Sequence, residues 1–261
     1  MMRRYKAAVF GATVLAAPIA EKLKENTIII EKSESVAIDY TSCINMQLSK
    51  IGKCSKAETK SFFDEIKKRN LMDKEGRVHV FPIAGILAKS FLKANTLLAT
   101  DVISVKKLDG EYEISIFNID GFSSFRAEYI IDTTATGIVN VDVRELHFTK
   151  YINAAINAEN IDKTHLLQKG RFENEFLYSL EAEKDTKYED AVQLLHENWQ
   201  SLAETELKGC ELAAIAPQFA YIFNEPMEEK LDDKYIFKPS ASLGNLGEAY
   251  EEGVNVSELF I

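Results

Sequence analysis

The chain has 261 residues, of which 46% are hydrophobic, enough to bury a sizeable core as one large domain or two small ones. Its net charge of −10 comes from 41 acidic against 31 basic residues, with the Lys and Arg spread along the chain, which excludes nucleic acid as an expected partner. No apolar run approaches the roughly 20 residues of a membrane span, and Arg3-Arg4 leads into a strand without a small-residue cleavage site, so the expectation is a cytoplasmic protein with no membrane partner.

The opening run from Tyr5 to Phe10 reads as a strand, Gly11 as a tight turn and the stretch through Ala16 as the start of a helix. Ile28-Ile29-Ile30 is a second strand, and it ends in Glu31. This is the layout of a dinucleotide-binding βαβ unit, in which the helix N-terminus faces a pyrophosphate and a carboxylate holds a ribose hydroxyl. Glu31 lies 20 residues after Gly11, which is the expected reach. Against G-x-G-x-x-G/A the chain has Gly11, Thr13 and Ala16, so the first position fits, the last is an allowed variant and the middle one departs. A Cβ and methyl at Thr13 either obstruct the approach of backbone to phosphate or bring a hydroxyl to a phosphate oxygen.

A polar stretch follows Glu31. Ser55 and Glu58 have the spacing of a capping box, and a helix from about Lys56 to Asn70 can place Phe62, Phe63, Ile66 and Leu71 on one face. Its Lys67-Lys68-Arg69 end suits a helix C-terminus and reads as a solvated face. Val78 to Phe81 predicts a short strand, and Pro82 a start for the helix Ile83–Ala94. Three β-rich runs come next, Asp101–Leu108, Glu111–Ile119 and Ser123–Ile131, separated by Asp109-Gly110 and Asp120-Gly121, which are hairpin signals. The resulting meander runs directly into Asp132-Thr133-Thr134-Ala135-Thr136-Gly137.

From about Ile138 the pattern changes. Val143–Ala154 and Arg171–Ala182 have strand character, a long amphipathic helix near Tyr188–Leu207 is closed by Gly209, and Glu211–Phe223 reads as a further strand. A Ser/Gly/Asn loop from Pro239 then opens a short terminal helix to about Gly253. Cys43, Cys54 and Cys210 form no C-x-x-C pair and read as buried or idle thiols, and His79, His147, His165 and His196 lack metal-ligand spacing.

A βαβ unit with a degenerate glycine motif, a helix, a meander and a strand ending in Ala135-Thr136-Gly137 resemble, in that order, the FAD-dependent oxidoreductases of the glutathione-reductase-like two-dinucleotide-binding class. The resemblance covers roughly 1–40, 75–140 and, more loosely, 235–261, and is weak over 141–234. It implies an α/β chain with a Rossmann-like FAD/NAD(P)-binding fold and a β-meander, plus a small α+β cap. The domains would be 1–140 for FAD binding, 141–234 for the cap or substrate region, and 235–261 for a segment returning to the FAD-binding domain. In that family the A-T-G strand end lies close to the cofactor and a main-chain group after a Thr-acidic pair reads the adenine, a place that Thr100-Asp101-Val102 matches. The implied cofactor-binding residues are Gly11, Ala12, Thr13, Ala16, Glu31, Lys32, Val102, Thr136, Gly137, Gly244 and Asn245. At Asn245 and Gly247 the start of the terminal helix would present free N–H groups and the positive dipole end to the flavin. The alternative there is an ordinary capped turn.

The chain departs from the family in Thr13, in lacking a glycine pair after Glu31, and in lacking a Gly-Asp motif near its C-terminus. The expected function is therefore an FAD-binding oxidoreductase-like protein acting on a small molecule, with a second copy of the chain (a homo-oligomer) or a redox partner protein as the candidate protein partner. The alternative is a non-catalytic descendant of the fold that binds nucleotide weakly or serves as a partner subunit. No catalytic residue is assigned, and His147 and Tyr151 on the first cap strand read as packing or hydrogen-bonding groups.

Overall fold

The computed structural model describes residues 2–46, 54–139, 146–159 and 165–260. It opens with the expected βαβ unit: strand β1 (Arg4–Phe10), helix α1 (Ala16–Leu23) and strand β2 (Thr27–Ile30). β1 is buried over its last four residues and β2 over all four, as expected of strands covered on both faces. With β3 (Asn95–Leu97), β6 (Gly121–Asp132) and β13 (Tyr235–Phe237) they form a parallel sheet in the order β3-β2-β1-β6-β13, and β12 (Glu229–Asp232) adds an antiparallel edge.

Strand β6 belongs to two structures at once. Its first half pairs with β5 (Tyr112–Asn118), which pairs with β4 (Asp101–Lys107), and this is the predicted meander. The second half of β6 lies beside β1 in the parallel sheet. Alternation then sorts the side chains by face. Ala7, Val9, Ile29 and Ile131 join the helical core, whereas Ala8, Phe10, Ile28, Ile30 and Ile130 pack with Ile114, Ile116 and Phe125 of the meander. The helical layer holds α1, α2 (Ala57–Lys68), α3 (Ile83–Phe91) and α5 (Leu246–Glu258), with Phe62 of α2 stacked on Tyr250 of α5 at 4.3 Å between ring centroids. Each large side chain buried there contributes roughly 1.5–3 kcal/mol.

A second sheet is built on β7 (Phe148–Asn157), flanked on one edge by β9 (Glu175–Ala182) with the short β8 (Gln168–Lys169), and on the other by β10 (Glu211–Ile215) and β11 (Ala220–Phe223). One face, with Ile152, Ala154 and Ile156, packs on α4 (Tyr188–Glu204) through Ala191, Leu195 and Trp199. The opposite face sends Ala155 and Leu177 into the helical core of the first sheet. The amide of Asn153 donates to Cys43 O at 2.8 Å and so ties the two parts together.

Several elements differ from the sequence expectation. The predicted strand Val78–Phe81 is only a single bridge between Met72 and Val78, while the sheet position goes to the three residues of β3. Ser55 does not cap α2: the N-cap is Lys56, and the Glu251 carboxylate of α5 accepts from Ser55 N, Ser55 Oγ and Lys56 N instead. Pro82 is the N-cap of α3, which stops at Phe91. The run Glu211–Phe223 breaks into β10 and β11 around Pro217, which has no N–H to give a ladder. The segment 171–174 is a turn before β9, α4 stops at Glu204, and α5 continues past Gly253 to Glu258. The start predicted for the first cap strand, 143–145, lies outside the described residues, as does the expected boundary at 140/141. No helix among the described residues is long and apolar enough to cross a membrane.

Candidate functional site

The C-terminal ends of β1, β2 and β6 open onto a cleft of about 710 Å³, the place where ligands bind in open α/β sheets. Gly11 begins the wall. Its φ is +90°, and a Cβ there would lie 3.0 Å from Thr133 Oγ1 and 3.1 Å from Thr134 Cγ2, so both conformation and space require glycine. Its N–H closes onto Ile30 O at 2.9 Å.

From Gly11 the chain turns into α1, where amide protons become free for an incoming anion unless the protein itself supplies acceptors. Here it supplies them. Ala12 N donates to Glu31 Oε2 at 2.9 Å, Leu15 N to Ser240 Oγ at 3.3 Å and Ala16 N to Thr13 Oγ1 at 3.3 Å. Val14 N points at the Asp39 carboxylate, 3.2 and 3.3 Å from its two oxygens, and Ser240 Oγ donates to the same carboxylate at 2.5 Å. The Thr13 hydroxyl donates to Thr133 Oγ1 at 2.8 Å, and Thr133 in turn donates to Phe10 O. Thr13 is therefore turned into the protein, its proton spent on a neighbouring strand end.

Glu31 also differs from a free acceptor at a strand end. It is 3% exposed and its second oxygen accepts from Ser33 N at 2.7 Å, so the carboxylate clamps the β1–α1 turn to the exit of β2. Burial pushes its carboxyl above the usual range, against the pull of the amide hydrogen bonds from Ser33 and Ala12. Thr100 N donates to Glu31 O at 3.0 Å, which brings the Thr100-Asp101-Val102 segment to the same rim. Lys32 and Asp101 form an ion pair at 3.4 Å on the exposed lip.

Asp132, fully buried, organises the other side. Its oxygens accept from Thr134 N at 3.1 Å, Thr134 Oγ1 at 2.6 Å and Ile138 N at 2.6 Å, curling the Thr134-Ala135-Thr136-Gly137 turn around one carboxylate. Burial pushes its pKa up to about 6 despite these bonds. Asp39 keeps some accessible surface because it lines the cleft, yet the crowded surroundings push its carboxyl up to about 6 as well, with Ser240 and Val14 pulling the other way and nearby Glu31 adding to the rise.

Of the residues expected from sequence, Gly11, Thr13, Glu31, Lys32, Val102, Thr136 and Gly137 line this one cleft. Ala12 and Ala16 are fully buried behind it. Gly244 and Asn245 lie outside its lining: Gly244 N donates to Glu248 Oε2, and the Asn245 side chain caps α5 by accepting from Gly247 N and Glu248 N, the ordinary capped turn. Sequence reasoning missed Asp39, which sits in the aperiodic stretch after Glu31, and Ser240, 201 positions away from it. It also missed Gln218 and Phe219 of the β10–β11 connection and Tyr221 of β11, which form the far wall. The absence of a glycine pair after Glu31 was the only signal that this stretch departs from a plain nucleotide cradle.

No family model matches the chain, and no curated protein matches it. Solved structures do. Glycine oxidase from Geobacillus kaustophilus aligns over 99% of this chain and 95% of its own at 12% identity with a TM-score of 0.63. A flavoprotein/dehydrogenase from Cytophaga hutchinsonii aligns over 99% and 78% at 13% identity, TM-score 0.59. CabE, an aromatic hydroxylase from angucycline biosynthesis, aligns over 98% of this chain at 12% identity, TM-score 0.60, and the chain spans 62% of its length. The likeness is one of fold: a Rossmann-like α/β sheet with a meander and a second sheet beside it.

Proposed function

We propose that the chain binds FAD in the cleft at the ends of β1, β2 and β6 and belongs, by activity, with the flavoprotein oxidoreductases that act on small molecules. The observation that carries this reading is the convergence of Gly11, Glu31, the Thr100–Val102 rim and the Thr134–Gly137 turn on a single cleft of about 710 Å³, within the usual size of a cofactor pocket. The oxidoreductase names of the structural neighbours agree with it. The meander of β4, β5 and the first half of β6 and the Ala135-Thr136-Gly137 strand end favour the glutathione-reductase-like type within that class.

The fit to the cofactor is uneven. At the adenosine end, the Val102 and Lys32 rim is open to the cleft. At the α1 N-terminus the amides that would meet a diphosphate are instead bonded to Asp39 and Ser240, so in this arrangement the diphosphate position is held by the chain. Flavin carries hydride or electron chemistry wherever it is bound, the protein supplying position and tuning. The second sheet, through Gln218, Phe219 and Tyr221, forms the wall opposite the nucleotide rim and is the proposed substrate side.

Purified protein incubated with FAD and passed over a desalting column should retain absorbance near ~450 nm, and FAD should raise its Tm by mass action more than NAD does. A colourless protein with no thermal shift at any FAD concentration, at about pH 5.5 as well as at about pH 8, would remove the proposal.

A further inference from the structure

We infer that Asp39 is the residue that sets what this cleft accepts: its carboxylate takes the place on the α1 N-terminus that a ligand's diphosphate needs, so a dinucleotide docks there only once Asp39 has been neutralised. The inference rests on the reading of the cleft as a nucleotide site. An amide has one proton, and Val14 N already donates to Asp39 while Leu15 N donates to Ser240 Oγ, itself bonded to Asp39. A diphosphate brought to these amides would also face the carboxylate as a like charge in a poorly solvated corner.

Asp39 is held in place from several sides. Ala37 N donates to Ala12 O at 2.6 Å, Cys43 Sγ donates to Asp39 O at 2.9 Å, and the amide of Asn153 holds Cys43 O from the second sheet. These bonds fix the backbone that carries Asp39, while its side chain is held by Val14 N and Ser240 Oγ; adding a proton removes the charge and leaves that backbone where it is. The titratable groups facing Asp39 are Glu31 at the end of β2, and Tyr40 and Cys43 on its own segment. Tyr40, Cys43 and, from β11 across the cleft, Tyr221 are pushed up by burial and stay neutral through the physiological range, Lys32 and Asp101 on the lip pair with each other, and Glu31 is the charge that bears on Asp39. From the terminal segment the facing group is Ser240, which does not titrate, and Glu248 of α5 bears on Tyr40. The Asp39 carboxyl, pushed up to about 6, takes its proton close to neutrality.

The test titrates three probes by calorimetry: ADP-ribose, whose diphosphate diester holds its charge through the range, adenosine, which has no diphosphate, and FAD. The proteins are the unaltered chain, Asp39→Asn and Asp39→Ala, each at about pH 8 and about pH 5.5. Asparagine keeps the size but offers Val14 N only a neutral acceptor, weaker than a carboxylate and displaceable by a diphosphate, and alanine removes the acceptor altogether. The unaltered chain is expected to bind ADP-ribose tens of times more tightly at the lower pH, and Asp39→Asn to show that tighter binding already at about pH 8 and to change little with pH. Adenosine should be insensitive to both changes. Independently of any ligand, the Val14 amide proton resonance should titrate near pH 6 in the unaltered chain and be flat in Asp39→Asn.

Equal ADP-ribose affinities for all three proteins at about pH 8, or a Val14 resonance that does not titrate, overturns the role of Asp39. The two readings fail separately. Tighter ADP-ribose binding by the variants with no FAD binding by any protein would keep Asp39 and remove the flavin; tight FAD binding by the unaltered chain, unchanged in the variants, would keep the flavin and remove Asp39. Binding of no probe by any folded protein removes both.

Discussion

At the scale of single residues, the cleft is shaped by side chains that satisfy backbone amides. Thr13 is the plainest case, because its hydroxyl links the turn to Thr133 as donor and to Ala16 N as acceptor. Thr13→Ser keeps both bonds and should be close to neutral in urea-denaturation midpoint. Thr13→Gly loses both and adds chain entropy, so it should cost about 1–3 kcal/mol, two modest hydrogen bonds plus the glycine penalty. Equal stability of the glycine and serine variants would mean that the Thr13 hydroxyl does no structural work. Glu31 acts the same way at higher stakes, since both of its oxygens hold backbone amides. Glu31→Gln turns one acceptor into a donor aimed at an N–H group, and loss of a charged hydrogen bond commonly costs about 1.5–3 kcal/mol. A fall in Tm of the ligand-free protein is therefore expected, before any ligand is added. An unchanged Tm would show that Glu31 waits for a ligand rather than holding the fold.

At the scale of elements, the contact of α5 with α1 decides how the N-terminal turn sits. Gly253 lies where a Cβ would run into Leu15 O and approach Pro18 Cγ at 2.5 Å, so Gly253→Ala must push α5 away from the turn that carries Val14 and Leu15. Backbone cannot yield as a side chain does, and a loss of at least ~2–3 kcal/mol is expected. Gly85 in α3 is the control: nothing lies within 4 Å of its Cβ position, and Gly85→Ala should gain about 0.5–1 kcal/mol from helix propensity. Thermal melts of the two variants should move in opposite directions, and a Gly253→Ala protein as stable as the original would show that the two helices can separate freely. Such contacts also mark the limit of what sequence could show. The βαβ unit and the meander were legible because each is local: strand periodicity, Asp109-Gly110 and Asp120-Gly121 lie within a few residues of what they join. β3 was not, because three residues carry no period, and the capping of α2 by Glu251 was not, because its two partners are 196 positions apart. The cleft divides likewise. Gly11, Glu31 and the Thr136-Gly137 turn follow from strand ends, whereas Asp39 acquires its role only when the chain from Ser240 returns to it.

At the scale of the whole molecule, the cleft gathers buried acids in a chain that is already strongly acidic, and this shapes the pH dependence of stability. Asp39 and Asp132 have carboxyls pushed up to about 6, and Glu31 is also raised, all mainly by burial. A folded-state pKa above the unfolded one means that the folded protein binds the extra proton, so stability rises as pH falls from about 6 toward about 4. The surface carboxylates act in the opposite direction. Glu128 is held low by its hydrogen bond to Lys6, and Glu65 by its bond to Arg69, so their contribution is complete above the unfolded carboxylate range and is lost as pH falls through it. The two trends cross, and the urea midpoint should climb from about pH 8 to a maximum near pH 5 and then fall. Asp39→Asn carries no charge to bury, so it should be the more stable protein at about pH 8 and show a shallower climb. A midpoint that falls steadily between about pH 8 and about pH 5.5 would mean that neither Asp39 nor Asp132 takes up a proton on folding, and the carboxylate at the head of α1 would then be a fixed charge rather than one that can be neutralised in place.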